Sequence, residues 1–247
     1  MEACAGFTKC AQNSVSSVVK NSSFVLLEGD DLLGIIFTGG KGPQAELVRR
    51  LIEREAKDAL IVAADSGFAA AQGAGLPPDW IIGDMDSIGD DSSLSTLPPE
   101  RVIRYEHDKD YTDTELAFLC AFENSCDEIW IIGGGGGRMD HLFAIRSLFE
   151  RDVFPLRWIT DAADIRCLEA AAKNELSLIL QKGEVISVFP LGNGPWEAES
   201  EGLKWPLAGL PWDRGFFGLS NAAPGGEFSV RAREGRFMLI LPLPVSI

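Results

Sequence analysis

Leu60-Ile-Val-Ala-Ala-Asp65, Trp80-Ile-Ile-Gly-Asp84-Met-Asp86-Ser87 and Ile129-Trp-Ile-Ile-Gly-Gly-Gly-Gly-Gly-Arg138-Met-Asp140-His141 share one pattern: a short apolar run that stops at glycine or aspartate. Continuous apolar runs of this length read as strands covered by helices on both faces, which is the mark of a parallel sheet. If the runs are parallel, their C-terminal ends share one edge, where open α/β sheets bind ligands. Asp108-Lys109-Asp110-Tyr-Thr112-Asp113 adds further acids between the second and third runs. Carboxylates gathered on one edge repel one another, and a divalent cation carrying a polyphosphate is the usual reason for such a gathering.

Working outward from these runs, Gly34 to Thr38, Arg101 to Tyr105 and Leu156 to Thr160 read as further strands. Helical patterns separate them: Pro43 to Lys57, with proline near the start and Leu47, Leu51 and Ile52 at helical spacing, then Gly67 to Ala74, Thr112 to Phe122 and Met139 to Phe149. Strands alternating with helices predict βαβ units, hence a three-layer α/β/α domain with a mostly parallel sheet. After about Asp164 the helices stop. Leu176 to Leu180, Glu184 to Phe189, Glu227 to Arg233 and Phe237 to Leu241 read as strands between Gly and Pro clusters, which predicts a smaller all-β sandwich. The expected division is an N-terminal extension over 1–30, whose apolar patch Phe24 to Leu27 reads equally as an extra strand or a loose leader, then an α/β domain over 31–165 and a sandwich over 166–247.

The chain has 247 residues, 46% of them apolar, which is enough for a sizeable core. Its net charge of −15 argues against a broad nucleic-acid surface and against adsorption to anionic membranes. Cys4, Cys10, Cys120, Cys126 and Cys167 form no C-x-x-C pair, and with two histidines they make no zinc pattern. They read as reduced thiols of a cytoplasmic protein. No apolar stretch nears the roughly 20 residues that span a bilayer, and the N-terminus lacks a signal-peptide pattern.

Taken singly, the motifs have ordinary readings. Gly83-Asp84-Met85-Asp86-Ser87 also describes a turn, although alternate residues of an extended segment would aim Asp84 and Asp86 at one cation. Thr112 or Asp110 reads as a helix cap, and Glu115 three residues after Thr112 fits a capping box. A helix N-terminus so capped also offers free N–H groups to phosphate, with Lys109 nearby. Gly133 to Gly137 reads as a linker or as a loop bringing backbone amides close to phosphate, with Arg138 as a clamp. It matches neither the P-loop nor the dinucleotide fingerprint. His141 alone reads as structural.

In combination and in this order, the motifs closely resemble thiamine pyrophosphokinases. The residues carrying the resemblance are Ala64-Asp65-Ser66-Gly67, Pro78-Asp79-Trp-Ile-Ile-Gly-Asp84-Met-Asp86-Ser87-Ile88, Asp108-Lys109-Asp110-Tyr-Thr112-Asp113-Thr-Glu-Leu-Ala117 and the Gly133 to His141 segment. Gly202-Leu203-Lys204-Trp205-Pro-Leu and Ser220-Asn221 resemble that family's thiamine-binding segments. The resemblance covers residues 34–247. It implies pyrophosphate transfer from ATP to the hydroxyl of thiamine, with Mg²⁺ held by Asp84, Asp86 and Asp113. Lys109 and Arg138 would assist as cationic donors. Gly39, Gly40, Asp65, Asp110, Thr112, Gly133, Gly134, Arg138, Asp140 and His141 are expected around the nucleotide. Trp205 is expected to stack on thiamine, Ser220 and Asn221 to contact it, and two copies to pair with thiamine at their interface. Two departures stand out: Ser66 replaces a glycine of the family pattern, and Ala222 follows Ser-Asn where glutamate is common. The alternatives are the same transfer to another heterocyclic alcohol, such as a hydroxymethyl-pterin, or a non-catalytic nucleotide sensor.

Overall fold

The apolar runs become the strands of one twisted sheet. The computed structural model describes residues 32–55, 59–86 and 97–243. The expected N-terminal extension with its Phe24 to Leu27 patch, Cys4, Cys10, Ser87 and the end of the first predicted helix lie outside the described residues. Strands β1 (Leu33–Phe37), β2 (Ala59–Ala64), β3 (Trp80–Gly83), β4 (Val102–Arg104), β5 (Glu128–Ile132) and β6 (Arg157–Ile159) alternate with helices α1 (Ala45–Glu55), α2 (Gly67–Gly73), α3 (Asp113–Glu123) and α4 (Met139–Leu148).

The six strands lie in the order β6-β5-β1-β2-β3-β4, and every neighbouring pair is parallel. Side-chain alternation divides the core between the two faces. Ile36, Val62, Ala64, Ile82 and Ile131 pack with Leu116, Phe118, Ile145 and Leu148 of α3 and α4. Ile35, Phe37, Ile61, Trp130 and Ile132 pack with Val48, Ile52 and Ala71 of α1 and α2. This is the expected α/β/α arrangement, with a mostly parallel sheet between two helical layers.

The sheet does not stop at β6. Strand β7 (Ala163–Glu169) returns antiparallel beside it, followed outward by β13 (Arg236–Pro242), β9 (Val185–Leu191) and β11 (Gly218–Ala222), for ten strands among the described residues. A second sheet, β10 (Glu197–Glu201), β12 (Gly226–Glu234) and β8 (Glu175–Leu180), is antiparallel throughout. Phe228, Val230 and Ala232 of β12 meet Ile186, Val188, Phe237 and Leu239 of the large sheet in a separate core, which makes the sandwich.

The turn from parallel to antiparallel sheet is pinned by a buried ion cluster. Arg157, 1% exposed, donates from Nε and Nη2 to the two Asp164 oxygens at 2.9 and 2.7 Å and from Nη1 to Glu55 of α1 at 2.8 Å. Its guanidinium also lies 4.6 Å over the Trp130 ring. Such a paired, bidentate arrangement satisfies charges whose burial would otherwise be costly.

Candidate active site

Strand order locates the site before any side chain is considered. From β1 the chain moves one way to β2, β3 and β4, then returns to the other side of β1 as β5. At this switch point such folds bind ligands in a crevice beyond the strand ends. The loops after β1 and β5 both line it and are tied directly to each other. Gly134 N–H donates to Gly39 O at 2.7 Å, and Lys41 and Gly135 exchange backbone bonds of 2.6 and 2.9 Å. Trp158 Nε1 donates to Gly133 O at 2.8 Å and anchors the glycine loop from β6. Gly133 has φ of +107°, and a Cβ there would stand 2.4 Å from Thr38 O, so only glycine fits.

The crevice encloses a cavity of about 560 Å³. Of the predicted residues, Gly39, Gly40, Asp65, Asp84, Lys109, Thr112, Asp113, Gly134, Arg138 and His141 line it. Asp65 follows β2, Asp84 follows β3, and Asp113 opens α3, so three separate βα connections bring their carboxylates together. Ligand oxygens of Asp65, Asp84 and Asp113 all lie within 4.8 Å of one another. The structure thus groups Asp65, rather than Asp86, with Asp84 and Asp113; Asp86 joins Asp84 and His107 in a second set on the same scale.

Glycine again makes the approach feasible. Gly83 has φ of +155°, and a Cβ on it would lie 3.0 Å from Asp65 Cβ and 3.3 Å from Asp113 Oδ1. Asp65 itself sits at φ +45°, a conformation that aspartate tolerates better than most residues. Its Oδ1 is shut off from solvent and has no hydrogen-bond partner. A buried anionic oxygen without a donor is costly, and a bound cation would remove that cost, so these residues fit a divalent metal.

Lys109 Nζ lies 2.9 Å from Asp113 Oδ1 and is the local counter-charge, although it lacks the alignment of a good hydrogen bond. Burial raises the Asp113 carboxyl above its ordinary pKa, Lys109 opposes this, and the charges of Asp84 and Asp65 add to the rise. The helix behind it is capped as its sequence suggests. Thr112 Oγ1 accepts from Glu115 N–H at 3.2 Å, and Glu115 Oε2 accepts from Thr112 N–H at 3.0 Å. Arg151, in the turn after α4, braces the other Glu115 oxygen. Cap and site coincide, because the same turn that satisfies the helix end aims Asp113 at the cavity.

Other predicted residues fall elsewhere. Asp140 is exposed and paired with Arg138, which holds its carboxyl well below the usual range and occupies the guanidinium proposed as a clamp. Asp86, Asp110, Gly133 and Asp140 are not among the cavity-lining residues. Neither are Trp205, Ser220 and Asn221, which belong to the sandwich. Asn221 is buried, and its amide clamps the Trp205 backbone: Trp205 N–H donates to Oδ1 at 3.1 Å and Nδ2 donates to Trp205 O at 2.6 Å. Trp205 is 52% exposed, with the Lys204 ammonium 4.4 Å over its ring.

Sequence reasoning missed Thr38 and Thr114, whose hydroxyls bond at 2.6 Å on the cavity wall, along with Tyr111 and His107. An isolated hydroxyl or ring in an apolar or loop context gives no signal of its own. Ser66, the departure from the family pattern, also lines the cavity; a Cβ on Gly39 would stand 2.3 Å from its Oγ. The added side chain therefore rests over a neighbouring glycine.

Residues 52–153 match the family model described as the thiamin pyrophosphokinase catalytic domain. A thiamine pyrophosphokinase of Bacillus subtilis (strain 168) is 29% identical over 156 residues, spanning 60% of this chain and 70% of that protein. The fold resembles the crystal structure of a Bacillus subtilis thiamine pyrophosphokinase, with a TM-score of 0.68, 24% identity and coverage of 87% of this chain and 100% of that one. A thiamin pyrophosphokinase from Geobacillus thermodenitrificans gives 0.64, 23%, 87% and 99%. One from Candida albicans gives 0.63, 17%, 87% and 90%. Over residues 52–153 this chain is thus similar to the catalytic domain of thiamine pyrophosphokinases.

Proposed function

We propose that this chain is a thiamine diphosphokinase that transfers the pyrophosphoryl group of ATP to the primary hydroxyl of thiamine. The hydroxyl oxygen bonds to the β-phosphorus, the bridge to the α-phosphorus breaks, and AMP leaves with the bridging oxygen. Such transfers ask a protein mainly for positioning and charge neutralisation. The observation that carries the reading is the convergence of Asp65, Asp84 and Asp113 within 4.8 Å at the switch-point cavity.

Asp65, Asp84 and Asp113 would hold Mg²⁺, which when bound neutralises polyphosphate charge. Lys109 supplies a fixed positive charge beside the acids, and the start of α4, which no N-cap side chain closes, would present its end to phosphate. Asp113, on the cavity wall at the start of α3, would orient the thiamine hydroxyl or accept its proton. Arg138 would exchange Asp140 for phosphate oxygens.

Thiamine recognition falls to Trp205, with Asn221 fixing its backbone and Ser220 beside it. These residues are outside the cavity, and Trp205, Phe217 and Leu219 are exposed, which supports a homodimer in which thiamine lies between subunits. A cytoplasmic location is consistent with the buried thiols Cys126 and Cys167 and with the finding that no described helix is long and apolar enough to cross a membrane.

The test is incubation of the purified chain with ATP, Mg²⁺ and thiamine, following AMP and thiamine diphosphate together. Equimolar, thiamine-dependent formation of both is expected. AMP formation driven better by a hydroxymethyl-pterin, or no AMP with any alcohol, would overturn the assignment.

A further inference from the structure

Thr38 follows the last residue of β1 and leads into Gly39, and Thr114 is the second residue of α3, directly after Asp113. Their hydroxyl oxygens lie 2.6 Å apart on the cavity wall. Both side chains are more than nine-tenths buried, Thr38 at 6% exposure and Thr114 at 9%. Two hydroxyls carry two protons, and the single bond between them uses one. Among the described residues neither oxygen makes another hydrogen bond, so one buried O–H has no protein acceptor. We propose that Thr38 and Thr114 form a phosphate-contacting unit: one hydroxyl orients the other, and the proton left over is donated to an oxygen of the bound polyphosphate.

The placement selects that ligand. Thr38 N–H donates to Ile132 O at 2.9 Å, which fixes Thr38 against β5 beside the glycine loop. Thr114 is fixed by the capped first turn of α3. The hydroxyl bond thus ties the turn that carries Asp113 to the start of the loop after β1. On the function proposed above, a polyphosphate held by a metal at the acids and by the glycine loops lies along this tie. Phosphate oxygens only accept hydrogen bonds, so a donor without a protein acceptor is their complement. A charged acceptor also gives the stronger bond, so the contact gains on ligand binding. A purely structural link between β1 and α3 would be served by two apolar side chains, which leave no proton over.

The test is calorimetric titration of the full chain with inorganic tripolyphosphate in saturating Mg²⁺, without nucleotide or thiamine, alongside thermal melts. Valine keeps the branched shape of threonine and removes the hydroxyl, so the set is Thr38→Val, Thr114→Val and the double variant. In the melts each single variant should fall below the wild type, because it strands the other buried hydroxyl, and the double variant should recover part of that loss. In the titrations the order should differ. At least one single variant should weaken tripolyphosphate binding roughly tenfold or more, the scale of a hydrogen bond to a charged acceptor, and the double variant should bind no better than that one. Thr38→Ser and Thr114→Ser, which retain the hydroxyls, should return the affinity toward that of the wild type. Wild-type affinity in all three valine variants, affinity that recovers together with stability in the double variant, or no tripolyphosphate binding by the wild type would overturn the proposal. Thiamine-dependent AMP reads the proposed function separately: hydroxyl-dependent tripolyphosphate binding without AMP formation would overturn that function and leave the hydroxyl contact standing.

Discussion

Replacing Asp65 with asparagine should make the metal-free protein more stable and the enzyme nearly inactive. Asparagine is isosteric and tolerates the left-handed backbone at φ +45°, so the substitution removes charge with little change of shape. Two repulsive pairs disappear, with Asp84 and with Asp113, each within 4.8 Å. At that distance a pair of unit charges repels by about 1 kcal/mol at the dielectric of water and about 3.5 kcal/mol at an effective value of 20. The site is only half-buried and Lys109 already offsets part of the charge, so the lower end applies, giving a gain of about 1–2 kcal/mol for two pairs. For a chain of this size that is a rise in melting temperature of roughly 2–8 °C. Scanning calorimetry in EDTA measures it directly. The order should narrow or reverse in Mg²⁺, because a ligand at ten times its Kd adds about 1.4 kcal/mol to whichever protein binds it. AMP formation should fall by about 100-fold or more, which is at least 2.7 kcal/mol of lost stabilisation. A variant less stable than the wild type in EDTA, together with a wild-type melt indifferent to Mg²⁺, would refute the claim that these acids form a cation-dependent cluster.

Asp113→Asn tests the same electrostatics by pH. Burial raises the Asp113 pKa in the folded state, so the folded protein holds this proton more tightly than the unfolded chain. Its contribution is full below the unfolded pKa and is lost as pH rises through the folded one. Denaturant melts in EDTA should therefore show the variant gaining on the wild type as pH rises above the ordinary carboxylate range, and a constant difference would count against the raised carboxyl. Trp205→Ala should raise the thiamine KM by about 2- to 30-fold, the equivalent of about 0.5–2 kcal/mol of cation–π contact, while leaving the ATP KM alone. An unchanged thiamine KM excludes stacking there. Glu115→Ala dissolves the capping box and the Arg151 brace, costing about 1 kcal/mol, on the scale of a lost cap, or about 2–4 °C in melting temperature. Because α3 carries Asp113, kcat should fall as well; unaltered kcat in a destabilised variant would separate the cap from the site.

The strands and helices that the sequence reveals are those whose burial is one-sided or complete. Ile35 to Phe37, Ile61 to Ala64 and Ile129 to Ile132 are legible because a parallel strand buried on both faces has no polar interruption. Thr112 with Glu115 is legible because capping is local chemistry over four residues. Three strands escaped. Ala163–Glu169 carries Asp164 and Arg166, which break the apolar pattern because they serve the ion cluster around Arg157. Glu197–Glu201 is almost wholly polar, with only Ala198 buried, and Gly218–Ala222 is an edge strand with a register shift and little apolar content. Their pairing partners, and not their composition, make them strands.

By itself, the sequence determined the parallel α/β pattern, the capped helix ahead of the acids and the fact that carboxylates end several strands, since each depends on neighbours a few residues apart. Only the tertiary structure decided which acids meet. Asp65, Asp84 and Asp113 come together across three βα connections because β2 and β3 are adjacent and α3 packs across β1 to β3. Asp86, two residues from Asp84, turns instead toward His107. Carboxylate grouping is a matter of distances between loops, and the order of strands in the sheet sets those distances, whereas spacing along the chain does not.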